Sequence, residues 1–254
     1  MIMDIGNYAK HAKIWDWGGH DNTPEHKYWY EYAKHYGKNV LIPMCALGET
    51  GAYMAERGLS VTAFDITKEM IEEGQKRFAD VAHLDLRHGD IRDFAFEIPP
   101  VDFALIKDLG HLHTIDDVKS AFAHINSHMR SGGALVIEQP LPAKESSYHP
   151  PESFYPQKKM YLGLKVWKVG ETRHDAEDRR TYISQTVYIE DDSSAVESFD
   201  HSFYLQWFER EEIIAALNEC EFKVKHEYKN HEKEPWRAGD GLWIVEAISS
   251  HSDL

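Results

Sequence analysis

Cysteine, positive charge and long apolar runs are all scarce in this sequence. Its 254 residues include only Cys45 and Cys220, too few for a disulfide framework and not at the spacing of a zinc site. Both are expected to be reduced thiols. The 28 basic residues are outnumbered by 43 acidic ones, giving a formal net charge of -15. Because binding to a phosphate backbone needs a surplus of Lys and Arg on one face, we expect no nucleic-acid partner.

No apolar run approaches the roughly 20 residues that cross a bilayer. The first 15 residues also lack the basic and apolar regions of a secretion signal. We therefore expect no membrane partner and a cytoplasmic location. The hydrophobic content of 42% is enough for a sizeable core, as one large domain or one domain with an elaborated insert.

Short apolar runs alternate with helical patterns from residue 39 to residue 140. Apolar, β-branched runs at 39–43 and 60–65 flank a helical stretch that stops at Gly58, a βαβ pattern that three further strands continue. This alternation predicts an α/β fold with a parallel, doubly wound sheet. Three runs of period two then predict an antiparallel β insert, and a last helix with two strands completes a seven-stranded, Rossmann-like sheet.

This organisation predicts three parts of the chain. Residues 1–38 form an amino-terminal helical cap, in which Thr23 and Pro24 begin a helix. Residues 39–140 and 207–254 form the main α/β domain. Residues 141–206, which open with a proline-rich crossing, form the antiparallel insert or lid.

In an open α/β sheet, ligands bind at the carboxyl ends of the strands, near the point where strand order reverses. The loop after the first strand lies there, but Met44 and Ala46 stand where glycine is expected, and Gly48 remains. Cys45 lies in the same loop and is expected to line the site sterically rather than to act as a nucleophile.

Two acidic residues follow the next strands. Asp65 ends the second strand, where a carboxylate can accept both hydroxyls of a ribose; the alternative is an Asp that caps the next helix. Asp90 follows the third strand, where it can accept from an adenine amino group while Ile91 packs on the ring. Its alternative is a turn Asp.

The segment after the fourth strand brings Lys107, Asp108, His111 and His113 to the mouth of the site. Histidine titrates near neutral pH and is suited to accept a proton from a nucleophile. One alternative is a metal-binding histidine pair, although no third ligand lies at helical spacing. Another is that the histidines cap the next helix or pack in the loop.

Aromatic residues are dense near the amino terminus and in the insert. We expect these residues to form the walls of a ligand pocket, or else to pack against the flank of the sheet. The candidate walls are Tyr8, Trp15, Trp17, Tyr28, Trp29, Tyr161 and Trp167.

With these residues in place, the chain resembles class I S-adenosylmethionine-dependent methyltransferases. The segments "ERGLSVTAFDITKEMIEEGQKRF" and "HGDIRDF" are similar to that family's acidic second-strand motif and adenine-contacting motif. The segment "LGHLHTIDDVKSAFAHINSHMRSGGALVIEQP" resembles the small-molecule subgroup that includes aminosugar N-methyltransferases. "LIPMCALGETGAYMAERG" is similar to the first loop of thiopurine-type methyltransferases. The resemblance implies S-adenosylmethionine as cofactor, held by Met44, Cys45, Ala46, Gly48, Asp65, Ile66, Asp90, Ile91 and Lys107.

The resemblance further implies methyl transfer to a small molecule, with an amine nitrogen as the preferred acceptor. His111, Asp108 and His113 are the candidates to take the amine's proton or to hold its N–H groups. The alternatives are a thiol or other soft nucleophile as acceptor, or a catalytically silent relative that binds a metabolite or a protein. The sequence allows a monomer or a homodimer.

Overall fold

A computed structural model describes residues 8–15, 22–141, 147–149, 159–161 and 163–250, with only the backbone described at 159 and 161. The helices are α1 (Tyr8–His11), α2 (Thr23–Ala33), α3 (Glu49–Ala55), α4 (Lys68–Arg77), α5 (Ile115–His128) and α6 (Arg210–Glu219), with short 3-10 turns at Ala12–Ile14 and Leu109–His111. The strands are β1 (Asn39–Pro43), β2 (Ser60–Asp65), β3 (Leu84–His88), β4 (Val101–Lys107), β5 (Met129–Pro140), β6 (Ser147–His149), β7 (Lys159–Tyr161), β8 (Leu164–Asp175), β9 (Arg180–Glu190), β10 (Val196–Gln206), β11 (Phe222–Tyr228) and β12 (Leu242–Ser249).

Seven strands form the main sheet, in the order β11-β12-β5-β4-β1-β2-β3. The strands from β1 to β5 pair in parallel, as predicted, whereas β12 runs antiparallel to both β5 and β11. The connection between β11 and β12 contains no helix, and a chain that returns without a crossover helix pairs antiparallel. The doubly wound sheet is therefore mixed rather than wholly parallel.

Both faces of this sheet are covered, which explains why its strands are apolar along their length. On one face α5 and α6 bury Phe122, Ile125 and Leu217. On the other, α2 and α3 bury Trp29 and Met54. Among the described residues, no helix is both long and apolar enough to cross a membrane.

Local sequence explains most element ends, with small differences from prediction. The helix α3 ends at Ala55, and Gly58 lies in the turn beyond it at φ +90°. Thr67 is the N-cap residue of α4, with no capping hydrogen bond from its side chain, and the Asp65 Oδ1 atom accepts from the Thr67 N–H at 2.9 Å. Strand β5 begins at Met129, directly after α5.

The insert is a separate antiparallel sheet, in which the order is β10-β9-β8-β6 and β7 also pairs with β8. The first of the three predicted runs is divided into β7 and β8, because Gly163 turns the chain at φ +82°. A left-handed turn of this kind favours glycine.

The segment from Tyr8 to Trp15 connects the two sheets. Ala12 packs against the main domain at Leu47 and Met70. Two residues later, Ile14 packs into the insert with Val166 and Val187. This short segment consequently lies across the gap between the sheets, next to the carboxyl ends of the main strands.

Candidate active site

A cavity of about 270 Å³ lies at the carboxyl ends of the main strands. Strand β1 is flanked there by β2 on one side and β4 on the other, so the cavity lies at the point where strand order reverses. Its lining comprises Tyr8, Trp15, Ile42, Pro43, Met44, Cys45, Ala46, Gly48, Glu49, Thr50, Gly51, Asp65, Ile66, Thr67, Met70, Gly89, Asp90, Ile91, Arg92, Lys107, His111, Leu112, His113, Phe203 and Tyr204.

The backbone of the first loop has the left-handed conformation typical of glycine at three positions, although only one of them is a glycine. Met44 and Ala46 have φ of 53° and 50°, and Gly48 has φ of 88°. A left-handed conformation costs an L residue about 1–2 kcal/mol, so this loop is held by its surroundings. Cys45 contributes by donating its N–H to the Phe64 carbonyl at 3.1 Å. Burial raises the pKa of the Cys45 thiol well above its usual value, which fits a lining role.

Asp65 connects this loop to the next helix. Its Oδ2 atom accepts from the Ala46 N–H and its Oδ1 atom from the Thr67 N–H, both at 2.9 Å. Burial raises the pKa of Asp65, against the opposing effect of these two hydrogen bonds. A carboxylate has about four acceptor positions, so each oxygen keeps capacity for a further donor. These two remaining acceptor positions suit a pair of hydroxyl donors such as those of a ribose.

Asp90 lies at the cavity, but Arg92 holds its carboxylate. The Arg92 Nε atom lies 2.9 Å from Asp90 Oδ1, and its Nη2 atom donates to Oδ2. The same guanidinium reaches Asp117 Oδ1 at 3.0 Å. Burial raises the pKa of Asp90, yet the charge and hydrogen bonds of Arg92 bring it below the usual value. Ile91, beside it, is 4% exposed and lines the cavity.

Ile66 and Lys107 also line the cavity. The Lys107 Nζ atom donates to Glu25 Oε1 at 2.7 Å, which ties the end of β4 to α2. Lys107 is therefore a paired cation at the rim of the cavity.

The three candidate catalytic residues have different surroundings. His111 is half-buried beside Tyr8 and Phe203, with ring centroids 5.8 and 6.0 Å away. Burial lowers the pKa of His111, against the raising effect of the Asp108 and Asp65 charges. The His113 ring stacks on Tyr204 at 4.3 Å, and burial lowers its pKa as well. Within the described residues, no group of three His, Cys, Asp or Glu side chains could hold a metal ion.

Asp108 does not line the cavity. Its Oδ1 atom accepts from the Gly110 N–H at 2.7 Å and caps the 3-10 turn that carries His111. Its carboxylate is therefore engaged within the turn that carries His111, and a catalytic role for Asp108 stays a prediction.

The predicted aromatic walls divide into three groups. Tyr8 and Trp15 line the cavity, whereas Trp167 stacks on Tyr188 at 5.1 Å elsewhere in the insert. Tyr28 and Trp29 pack against the sheet flank, the alternative considered from the sequence. Trp17 and the side chain of Tyr161 lie outside the described residues.

Sequence reasoning missed several lining residues. Phe203 and Tyr204 reach the cavity from β10, and Glu49 reaches it from the first turn of α3. Glu49 could have been predicted from the sequence, because it is an acidic residue directly after Gly48 in the first loop. No local signal distinguishes Phe203 from the other aromatic residues of the insert.

Comparisons with known proteins agree with this geometry. Residues 40–133 match a family described as a methyltransferase domain. A Bacillus subtilis protein that bears the name of a methyltransferase, YqeM, is 22% identical over 187 residues, 73% of each chain. The uncharacterized methyltransferase Rv0089 of Mycobacterium tuberculosis is 32% identical over 39% of this chain and 48% of its own length.

Solved structures share the fold over nearly the whole chain. An S-adenosylmethionine-dependent methyltransferase from Clostridium acetobutylicum superposes with a TM-score of 0.77 at 14% identity, over 96% of this chain and 99% of that one. The sugar N-methyltransferase KedS8 from Streptoalloteichus gives 0.71 at 14% identity, over 92% and 90%. S-adenosylmethionine-bound CalS10, an amino pentose methyltransferase from Micromonospora echinaspora, gives 0.67 at 18% identity, over 92% and 94%. At these identities the likeness establishes the fold.

Each line of evidence leads to the same chemistry. The domain match spans the strands from β1 to β4, whose carboxyl ends lie at the cavity, and the relatives carry the name of the same activity. Together with the shared fold, they show that the chain is an S-adenosylmethionine-dependent methyltransferase with the class I, Rossmann-like fold.

Proposed function

We propose that this enzyme methylates the nitrogen of a small-molecule amine, and that an aminosugar is the acceptor class to test first. The observation that carries the proposal is His111, a half-buried histidine of lowered pKa that lines the same cavity as Asp65. The sugar N-methyltransferase KedS8 and the amino pentose methyltransferase CalS10, which share the fold, support the acceptor class.

The cofactor is assigned to the half of the cavity formed by the first loop and the ends of β2 and β3. Asp65 would hold the ribose hydroxyls, and Ile91 with Ile66 would pack on the adenine. Asp90 would accept from the adenine amino group in place of one of the four hydrogen bonds that its carboxylate accepts from Arg92. Met44, Cys45, Ala46 and Gly48 would follow the amino-acid end of the cofactor, and Lys107 would close the rim.

His111 is assigned the role of the base that accepts the proton of the amine. When bound, the cofactor supplies a methyl group on a sulfonium: a carbon–nitrogen bond forms as the carbon–sulfur bond breaks, S-adenosylhomocysteine leaves with the electron pair, and a base takes up the N–H proton. Because its pKa is lowered, His111 is neutral near pH 7 and free to accept that proton. Asp108 would support the imidazolium from behind, and His113 would line the entrance.

The acceptor half of the cavity suits an amine that bears a positive charge before or after reaction. Rings of Tyr8 and Phe203 lie beside His111, and aromatic faces attract cations. The net charge of -15 also draws cationic molecules towards the protein. Within this proposal, residues 1–38 are the cap, residues 39–140 and 207–254 bind the cofactor, and residues 141–206 cover the acceptor.

Matched acceptors test this function. S-adenosylhomocysteine release would be measured with glucosamine against N-acetylglucosamine, and with 2-phenylethylamine against 2-phenylethanethiol. We expect product from the free amines only. The His111→Ala variant should turn over amines about 100-fold more slowly with its cofactor affinity intact, while the variant of an exposed histidine, His35→Ala, should match the wild type.

Two results would contradict the proposal in different ways. Methylation of the thiol in preference to the amine would make the enzyme a soft-nucleophile methyltransferase. Turnover of amines by His111→Ala at the wild-type rate would show that His111 has a structural role and that another group takes the proton.

A further inference from the structure

Gln139 lies at the carboxyl end of β5, directly behind the turn that carries His111. Its side chain is 3% exposed. The Oε1 atom accepts a hydrogen bond from the Leu109 N–H at 2.7 Å. The Nε2 atom donates to the Pro140 carbonyl at 3.0 Å and reaches Asp108 Oδ1 at 3.4 Å. One buried amide thus holds both the backbone of the turn and the carboxylate of its first residue.

The turn depends on such support because its first residue is strained. Asp108 has φ of 65° and ψ of 106°, a conformation that persists only where the surroundings impose it. Its N–H donates to the Glu138 carbonyl at 2.8 Å, next to Gln139 in β5. A Cβ added at Gly110 would lie 2.8 Å from Asp108 Oδ1, so the turn is also closed tightly around this carboxylate.

We propose that Gln139 is a positioning residue for methyl transfer, which acts by holding the Asp108–His111 turn so that the His111 ring faces the acceptor. The inference rests on the proposed function of His111 as the proton acceptor. An amide suits the position because it offers an acceptor to one N–H and donors to two oxygens. Gln139→Glu would remove both donors and bring a second carboxylate to Asp108. Gln139→Met would keep the volume but leave the buried Leu109 N–H without its acceptor.

The test observes the His111 ring directly and needs no methyl acceptor. The full-length protein, labelled at histidine, would be titrated by NMR, and the His111 signal would be assigned by its loss in His111→Ala. In Gln139→Met the loosened turn admits water to the ring, so the His111 midpoint should rise towards its ordinary value by about 0.5 unit or more. In Gln139→Glu it should rise further, because the added carboxylate also stabilises the imidazolium. Calorimetry should give an S-adenosylhomocysteine affinity within about threefold of wild type, because the turn lies outside the first loop and the Asp65 site.

Asn126 supplies the matched control. It is also a buried amide, 5% exposed, and its Nδ2 atom donates to the Cys220 carbonyl at 3.0 Å, at the far end of α5. Asn126→Leu should destabilise the protein without moving the His111 midpoint.

The outcomes separate this inference from the proposed function. His111 midpoints within about 0.2 unit of wild type in both Gln139 variants would overturn the positioning role. So would a shift of equal size in Asn126→Leu, since the effect would then be a general loss of packing. If Gln139→Glu does not fold, Gln139→Met alone decides. A different result would contradict the proposed function: amine turnover by His111→Ala at the wild-type rate.

Discussion

The Asp65 carboxylate accepts a hydrogen bond from the Ala46 N–H, with an Oδ2···N distance of 2.9 Å. Its other oxygen accepts from the Thr67 N–H at the same distance. One side chain at the end of β2 therefore holds the first loop against the start of α4. This contact explains how the loop keeps left-handed residues at Met44 and Ala46, where a glycine would be free of strain.

The strain in this loop predicts that Ala46→Gly stabilises the protein. The left-handed cost to alanine is about 1–2 kcal/mol, and the greater freedom of glycine in the unfolded chain offsets about 0.5–1 kcal/mol of it. Urea unfolding should give a net gain of up to about 1 kcal/mol. Ala52→Gly, in the middle of α3, is the control and should lose about 1 kcal/mol or more. A comparable loss in Ala46→Gly would show that the loop is unstrained.

Asp65→Asn should weaken cofactor binding. The amide keeps one acceptor oxygen, but its NH₂ group faces a backbone N–H from which it cannot accept, and it no longer accepts from a ribose hydroxyl. Since a hydrogen bond to a charged group contributes about 1.5–3 kcal/mol, S-adenosylmethionine affinity measured by calorimetry should fall roughly 10- to 100-fold. Asp85→Asn is the control. Asp85 lies in β3, the strand next to β2, and its carboxylate pairs with Arg87 of the same strand. Equal affinities for Asp65→Asn and wild type would remove Asp65 from the cofactor site.

Local pattern was sufficient to predict much of the main sheet. Strands β1 and β2 have the predicted bounds, because each is an apolar run that ends at turn residues. Strands β6 and β7 have three residues each and exist only because β8 offers them an edge. The direction of β12 depended on a connection without a helix, which the pattern of apolar runs alone did not reveal.

The residues of the candidate site were predictable from the sequence where their position at the end of a strand alone brings them to the cavity. Asp65 ends β2 and His111 lies in the turn after β4, and parallel strands bring their ends together. Trp167 was expected at the cavity and Phe203 was not, although both lie in strands of the insert. An alternating run predicts two faces but not which face will meet the main domain, because that depends on how the two sheets pack.

The contrast between these two aromatic residues gives a third prediction. Phe203→Leu should raise the KM for the amine acceptor roughly 3- to 10-fold, since it loses ring contacts beside His111. Trp167→Leu should leave that KM within about twofold, because its ring stacks on Tyr188 away from the cavity. Steady-state kinetics with the best amine of the acceptor panel measures both. A larger effect from Trp167→Leu would mean that the acceptor extends along the insert beyond the described cavity.

His11 predicts a pH dependence of stability. It is 4% exposed and packs against His201, with ring centroids 4.2 Å apart. Burial, followed by the charges of His201 and Lys168, lowers the pKa of His11 from 6.5 to about 3. The folded state thus keeps His11 neutral. The stability that the neutral His11 contributes is fully present above pH 6.5. As the pH falls from 6.5 towards 3, the free energy of unfolding decreases by about 1.4 kcal/mol per pH unit.

Urea unfolding of wild type and His11→Leu at pH 7.5 and pH 5.5 measures this contribution. Acidification should cost the wild type about 1 kcal/mol more than His11→Leu, because leucine fills the same apolar site and takes up no proton. The exposed His35→Leu variant should keep the wild-type pH dependence. If His11→Leu loses as much stability as wild type on acidification, His11 is protonated within the folded protein and the segment from Tyr8 to Trp15 tolerates the charge. If the two differ as expected, acid pH loosens the segment that brings Tyr8 and Trp15 to the cavity, and turnover should decline with it.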